Sequence, residues 1–295
     1  MIRLRHFLHP VRSARSLYRR SCASFLKWTA DRRYGEIPRG RRDTCWCGGR
    51  LTDLAAHPSY GVCSDCSCYV NRVPPLPEAL REVYSLDNYW RVRQKMKGYP
   101  TIERRAELYR SDGRLQYWLS LVERYGAANG TVVEVGCSPG VLLSELKRQG
   151  YDCIGVEADE AVAEWITEHI SVPVRAGLFP GVDLPRCDMF LAFDVAEHAH
   201  DPLAFWSEIS RLLRPGGVAI LQTPVERRDY QNPFKERQDF FDDMEHLFLY
   251  TETSVERLTA SAGLRLDSLQ DAMGTLGQIC VCSKSPSQAG RGREQ

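Results

Sequence analysis

No apolar run in the 295 residues approaches the roughly 18 needed for a membrane-spanning helix, so none is expected. No apolar stretch of about 7 residues with a small-residue cleavage site follows the early charges, which argues against a secretory signal and against export. There is no internal repeat, so no repeat array is expected. The cysteines do not form a disulfide scaffold: they number eleven, which is odd, and five of them crowd between Cys45 and Cys68. A reducing compartment is expected, hence a cytoplasmic protein, peripheral at the inner face of a membrane if it meets one.

What is present is an ordinary enzyme-sized composition, 43% hydrophobic and 26% charged, long enough for one large domain and a small appendage. The formal net charge of +1 hides an asymmetry. Residues 1–44 hold twelve Lys/Arg against Asp31, Glu36 and Asp43, net +9, and the remainder is net −8. A basic arm on an acidic body points to an anionic partner, a phospholipid surface or RNA, or else to a solvated leader. An imperfect stripe of Leu4, Leu8, Val11, Tyr18, Cys22 and Phe25, broken by Pro10, lies beside Arg12, Arg15, Arg19 and Arg20. It suits docking of residues 1–30 at an anionic membrane surface, and the Arg-rich, acid-poor arm also fits a mitochondrial presequence. Residues 1–42 are read as a basic leader, helical or disordered, and residues 284–295 as a disordered Ser/Gly/Arg-rich tail.

Next, Cys45-Trp-Cys47-Gly-Gly is followed by Cys63-Ser-Asp-Cys66, with fifteen residues between Cys47 and Cys63. Two thiolate pairs a hairpin apart suit a tetrahedral structural Zn²⁺, which folds segments too small for an apolar core. Residues 43–75 therefore read as a zinc-ribbon-like segment with Cys45, Cys47, Cys63 and Cys66 as ligands and Gly48 and Gly49 in the turn beneath the metal. The first pair has one spacer where the usual knuckle has two, and Cys68 offers a fifth thiol; free thiols in a loop are the alternative. Four protein ligands leave no open position, so catalysis belongs elsewhere. Pro74, Pro75 and Pro77 end the ribbon, and residues 76–130 read as a helical linker or lid. It holds a short helix over 78–85 and a long helix or broken pair over 101–125, with Ile102, Leu108, Leu115, Trp118, Leu119 and Val122 inward.

After Gly130, short apolar runs alternate with helical patterns, which predicts a doubly wound α/β domain over 131–283 with a mostly parallel sheet covered on both faces. Seven strands are expected, at 131–135, 153–156, 172–175, 188–193, 218–222, 264–269 and 278–282, with helices over 141–149, 160–169, 202–213 and 251–262. Ligands of such sheets sit at the carboxyl ends of the strands. There Glu134-Val-Gly136-Cys137-Ser138-Pro-Gly140 turns the first strand into a helix, and glycines let the backbone approach a ligand at the helix N-terminus. About twenty residues on, Glu157 ends the second strand, where a carboxylate accepts from both hydroxyls of an adenosine ribose. The spacing Gly136-Cys-Ser-Pro-Gly140 does not match Gly-x-Gly-x-x-Gly, which sets aside a nicotinamide-dependent dehydrogenase.

These motifs resemble the class I S-adenosylmethionine-dependent methyltransferases, over residues 131–284. The resemblance implies a Rossmann-like methyltransferase fold with S-adenosyl-L-methionine as cofactor. In that family the loop matching Glu134, Gly136, Cys137, Ser138 and Gly140 cradles the methionine part, and the acid matching Glu157, with Ala158 beside it, holds the ribose. The segment matching Ala176–Phe179, here with Gly177 and Leu178, flanks the adenine, and Asp194 falls at the end of strand four. Leu213-Arg-Pro215-Gly216-Gly217-Val matches the loop before strand five, and Ser138 stands where many members carry glycine. Asp194-Val-Ala-Glu197-His198 is similar to the corresponding stretch of the ubiquinone-biosynthesis O-methyltransferases. That likeness places Glu197 and His198 near the acceptor and admits a catalytic divalent ion that lowers a hydroxyl's pKa.

Methyl transfer from a sulfonium is an in-line displacement, so it needs a nucleophile in near-attack geometry and, where required, a base. Glu197, His198 and His246 are the catalytic candidates; a helix-start role for His198 and a packing role for His246 are the alternatives. Tyr230, Phe234, Phe240 and Phe241 are expected in an acceptor lid. The expected function is O-methylation of a small molecule or glycan. An RNA methyltransferase gripping phosphates with ribbon and arm is the first alternative, weakened by the lack of an Asn/Asp-Pro-Pro-aromatic motif after strand four. A noncatalytic protein on the same fold is the second.

Overall fold

The computed structural model describes residues 35–96, 101–126, 129–229, 234–236, 240–273 and 277–286. The stripe within residues 1–30, Tyr230 and most of the expected tail lie outside them. Among the described residues, no helix is long and apolar enough to cross a membrane.

Three short antiparallel strands come first: β1 (Leu51–Asp53), β2 (Tyr60–Cys63) and β3 (Tyr69–Asn71). Helices α1 (Ile102–Ser111) and α2 (Arg114–Tyr125) follow. The broken pair is the form adopted over 101–125, because Gly113, at φ 90°, turns the chain in the left-handed region between them. The large sheet then takes up β4 (Thr131–Val135), β5 (Asp152–Glu157), β6 (Val174–Ala176), β7 (Cys187–Phe193) and β8 (Leu213–Thr223). Strands β9 (Val225–Glu226), β10 (Phe248–Thr251), β11 (Arg265–Asp271) and β12 (Gln278–Ser283) complete the set. Helices α3 (Val141–Arg148), α4 (Glu160–Ile170), α5 (Pro202–Leu212) and α6 (Glu252–Ser261) alternate with these strands.

The large sheet has the order β11-β12-β8-β7-β4-β5-β6, parallel from β8 to β6 and antiparallel at β12 and β11, so the mostly parallel seven-stranded sheet expected from the sequence is what forms. Its inner strands are buried on both faces while the edge strands β6 and β11 are not, and the two-residue period of a strand divides the inner ones cleanly. Val132, Met189, Leu191, Ile220, Ile279 and Val281 pack on one side with Leu121, Val122, Leu142 and Leu146. Val133, Phe190, Ala192, Leu221, Cys280 and Cys282 pack on the other with Phe205, Trp206, Ile209, Val255 and Leu258. Side-chain caps start the helices where the strands release the chain: Asp159 accepts from Val162 N before α4, and Asp201 from Ala204 N before α5. Thr251 and Ser254 form a capping box on α6.

Three elements are set differently from expectation, β6 and β8 for a backbone reason. β6 begins at Val174 because Pro173 has no N–H for the ladder, although its carbonyl accepts from Gly155 N. β8 begins at Leu213, so the Arg-Pro-Gly-Gly segment read as a loop is part of the strand. Leu213 pairs with Cys187, and Gly216 and Gly217 exchange backbone bonds with Lys284. The short helix expected over 78–85 is one turn, Leu80–Val83, after a tight turn at Pro77–Ala79. The chain then enters a wide helical turn, Leu86–Arg93, docked where Asp159 accepts from Leu86 N.

The small sheet extends beyond the segment 43–75. Its order is β1-β2-β3-β10-β9: β10 pairs antiparallel with β3 through Phe248↔Val70 and Leu249↔Tyr69, and parallel with β9. β9 leaves the large sheet directly after β8, so two strands from the C-terminal half cover what would otherwise be the open edge of β3.

Candidate functional site

The carboxyl ends of β4, β5, β7 and β8 border a cavity of about 760 Å³. The chain passes from β4 to β5 and β6 on one side and then crosses back to β7 on the other, and such a switch point leaves a crevice at the sheet's carboxyl edge.

One half of the cavity is lined by Glu134, Gly136, Cys137, Ser138, Glu157, Ala158, Gly177, Leu178 and Asp194. Gly136 sits at φ 68°, and a Cβ on it would lie 2.5 Å from Val195 Cγ2, so only glycine turns the chain here without displacing the Val195 side chain. Gly140 does not line the cavity; it starts α3 against Ile166 and Ile170. Glu157 ends β5 with its carboxylate accepting from Ala158 N at 2.8 Å, and burial pushes its pKa up to about 7 despite that bond. Burial likewise holds the Glu134 carboxyl well above the usual range. Glu134 Oε2 and Ser138 Oγ are buried with no hydrogen-bond partner among the described residues. Such polar atoms on a ligand cavity call for donors and acceptors from a bound molecule. Asp194, in the left-handed region at φ 56°, is fixed by Gln222 Nε2 at 3.0 and 3.2 Å.

The other half gathers Tyr84, Tyr89, Trp90, Arg105, Glu197, His198, Glu245 and His246. His198 Nδ1 lies 2.6 Å from the Glu245 carbonyl and His246 Nδ1 2.6 Å from the Phe240 carbonyl. A carbonyl only accepts, so each neutral ring carries its hydrogen on Nδ1 and keeps a lone pair on Nε2. The rings are 5.2 Å apart between centroids, and Glu197 Oε1 is 3.9 Å from His198 Nε2. Thr223 donates to the other Glu197 oxygen at 2.7 Å, and burial, then the Asp194 charge, push the Glu197 pKa up to about 8. One ligand atom from each of Glu197, His198 and His246 falls within 4.8 Å of the others, a set that could hold a divalent ion. Of the aromatics expected in a lid, Phe234 and Phe240 are buried with Tyr60, Tyr69 and Leu249, and Phe241 stacks on His57 at 3.6 Å. They pack mainly against the small sheet, with Phe240 alone of them reaching the cavity wall.

The thiols of Cys45, Cys47, Cys63 and Cys66 converge. The Sγ separations Cys45–Cys66, Cys47–Cys63 and Cys47–Cys66 are 3.6, 3.4 and 3.5 Å. A tetrahedron of sulfurs about 2.3 Å from a zinc ion has edges of about 3.8 Å, so this donor set fits zinc without rearrangement. A Cβ on Gly49 would lie 2.5 Å from Cys63 Sγ, which reserves that position for glycine. Cys68 lies beside Cys45 but is not part of the converging set, and its thiol donates to the Leu249 carbonyl.

The thiol cluster and the histidines are mechanically linked. Thr251 Oγ1 donates to the Cys66 carbonyl, Tyr60 Oη to the His246 carbonyl, and Leu247 N to the Glu197 carbonyl. Arg93, at the end of the turn Leu86–Arg93, pairs with Asp242 and Glu245, whose carbonyl orients His198. Sequence reading missed Gln222, Thr223, Arg93 and Arg105. Gln222 and Thr223 carried a signal, as polar residues closing an apolar strand at its carboxyl end; the arginines did not stand out among the 39 cations.

The sequence matches the family model described as methyltransferase domain over residues 109–269. It is 35% identical over 123 residues to a Mycolicibacterium smegmatis protein named Probable S-adenosylmethionine-dependent methyltransferase, with 38% of this chain and 47% of that one covered. It is 30% identical over 99 residues to the Ubiquinone biosynthesis O-methyltransferase of Cereibacter sphaeroides, with 31% and 40% covered. The chain thus spans about half the length, or less, of the curated relatives it matches. Among solved structures, mitomycin 7-O-methyltransferase MmcR shares the fold at a TM-score of 0.51 and 15% identity, over 65% of this chain and 58% of that one.

Proposed function

This chain belongs to the methyltransferase-domain family, whose model spans more than half of it, and on that premise we propose that it methylates a hydroxyl of a small-molecule or glycan acceptor at the carboxyl edge of its large sheet. It is an S-adenosylmethionine-dependent methyltransferase. The observation that carries the finer reading is that Glu157 and the pair His198 and His246 line one and the same cavity. Names among its relatives and structural neighbours, ubiquinone-biosynthesis and mitomycin O-methyltransferases, agree with oxygen as the target.

When bound, S-adenosylmethionine supplies an electrophilic methyl group on a sulfonium. Glu157 would accept from its ribose hydroxyls, and Glu134 Oε2 and Ser138 Oγ, unpartnered among the described residues, suit its ammonium and carboxylate. His198, with its lone pair on Nε2, takes the proton from the acceptor hydroxyl, and Glu245 holds the ring in that orientation through its carbonyl. In a second arrangement Glu197, His198 and His246 would together hold a divalent ion, which lowers the pKa of a coordinated hydroxyl; His198 Nε2 would then bind the ion instead of taking the proton. Cys45, Cys47, Cys63 and Cys66 would hold a structural zinc ion.

His198→Ala is expected to lower kcat about 100-fold, the usual contribution of a general base, while S-adenosylhomocysteine affinity stays within about 2-fold. The assay uses radiolabelled S-adenosylmethionine with a panel of hydroxylated aromatic and sugar acceptors, and the labelled product is identified by mass spectrometry. Label on nitrogen, on carbon or on RNA would overturn the reading.

The raised pKa of Glu157 sets a pH dependence. The neutral carboxyl stabilises the ligand-free fold below its unfolded value of about 4.3, and that contribution is lost as pH rises through about 7. Ribose hydroxyls prefer the ionised form. Affinity for S-adenosylhomocysteine is therefore expected to rise from pH 6 to pH 8 and level off, and Glu157→Gln to flatten the profile. A flat wild-type profile in calorimetry would contradict this.

A further inference from the structure

The turn Ala196–His198, which carries Glu197 and His198, is three residues long, and a turn that short has too few hydrogen bonds of its own to hold its side chains in place. β8 and β10 supply the rest. Asp194 N donates to the Gln222 carbonyl at 2.7 Å, Leu247 N to the Glu197 carbonyl at 2.8 Å, and Tyr250 Oη to the Ala196 carbonyl at 2.8 Å. All three end on main-chain oxygens. They fix the path of the turn and leave the rotation of the Glu197 side chain open.

Thr223, the last residue of β8, closes that freedom. Its Oγ1 donates to Glu197 Oε2 at 2.7 Å, and the strand's two-residue period turns it to the face opposite Gln222, whose amide holds Asp194. Both Thr223 and Glu197 are buried, and of the two only Glu197 lines the cavity, so Thr223 acts on the site through it. With Oε2 engaged, Oε1 is the Glu197 oxygen directed to His198, 3.9 Å from its Nε2. A carboxyl oxygen accepts a hydrogen bond whether or not the group is protonated.

We propose that Thr223 is a positioning residue for methyl transfer: it sets Glu197 so that one oxygen stands at a fixed place beside His198, where it orients the attacking group of the acceptor. This rests on the reading of the histidine half of the cavity as the acceptor site. An attacking group held by one contact rotates about it, and a second contact removes that rotation, so the gain falls mainly on kcat.

The test uses the full chain and two substitutions. Thr223→Val keeps the branched shape and removes the hydroxyl, whereas Thr223→Ser keeps the hydroxyl. In the radiolabel assay with the acceptor panel, Thr223→Val is expected to lower kcat about 10-fold or more, as loss of a bond to a carboxyl implies, with acceptor KM and S-adenosylhomocysteine affinity within about 2-fold. Thr223→Ser is expected to return kcat to within about 3-fold of the wild type. Crystal structures with S-adenosylhomocysteine bound need no turnover: Glu197 is expected to keep its approach to His198 in the wild type and in Thr223→Ser, and to turn away in Thr223→Val. Wild-type kcat in Thr223→Val, a loss that Thr223→Ser does not restore, or an unmoved Glu197 in Thr223→Val overturns the proposal. So does a Thr223→Val chain that fails to fold, or that loses S-adenosylhomocysteine affinity in step with kcat, because the hydroxyl would then serve the fold. Label on nitrogen or carbon, with the valine loss and the serine recovery both seen, keeps the positioning role and sinks the O-methylation reading. O-methylation at the wild-type rate in Thr223→Val does the reverse.

Discussion

Removing the metal from the thiol cluster, by chelation or by Cys63→Ser, is expected to lower methyl transfer by about 1,000-fold or more while S-adenosylhomocysteine binding falls less than about 10-fold. Structural zinc contributes on the order of 10 kcal/mol to folding segments of this size, so a ribbon without metal does not hold its strands. β3 would then release β10, and with it the chain that carries His246 and the carbonyl of Glu245 that orients His198. The bonds from Tyr60 to His246 and from Thr251 to Cys66 would be lost together. Glu157 and Gly136 lie on and beside strands of the large sheet and keep their places. Elemental analysis should find one zinc per wild-type chain. Full activity in protein shown to be metal-free would contradict the coupling.

Glu157→Ala is expected to weaken S-adenosylhomocysteine binding about 1,000-fold. Two charge-assisted hydrogen bonds at roughly 2 kcal/mol each account for that factor. Because burial already pushes this carboxyl up to about 7, its removal relieves a desolvation penalty, and the variant should fold at least as stably as the wild type. Calorimetry and melting curves check both parts. Near-normal affinity in a folded variant would show that the ribose is held elsewhere.

The large sheet was legible because its strands are short β-branched and apolar runs buried on both faces, as in Thr131–Val135 and Cys187–Phe193, and because Gly136 and Glu157 sit where those runs end. The thiol cluster was legible from spacing alone, even with one spacer missing between Cys45 and Cys47. The junction between the two was not. β10 is a four-residue strand, Phe248–Thr251, whose apolar character also suits a helix entry, and its partner strand β3 lies far back in the sequence, with Phe248 paired to Val70, 178 residues earlier. Local pattern holds no information on pairing at that distance. For the same reason Phe234, Phe240 and Phe241 read as a lid: their partners Tyr60, Tyr69 and His57 belong to a segment remote in sequence. Arg93 and Arg105 gain their meaning only once Glu245 and Gln94 are beside them.

A crystal structure with S-adenosylhomocysteine bound would test the central claim most directly. The ribose hydroxyls are expected within hydrogen-bond distance of the Glu157 carboxylate, with the sulfur directed toward the half of the cavity that holds His198 and His246. A ligand seated away from Glu157, or with its sulfur turned from both histidines, would contradict the account.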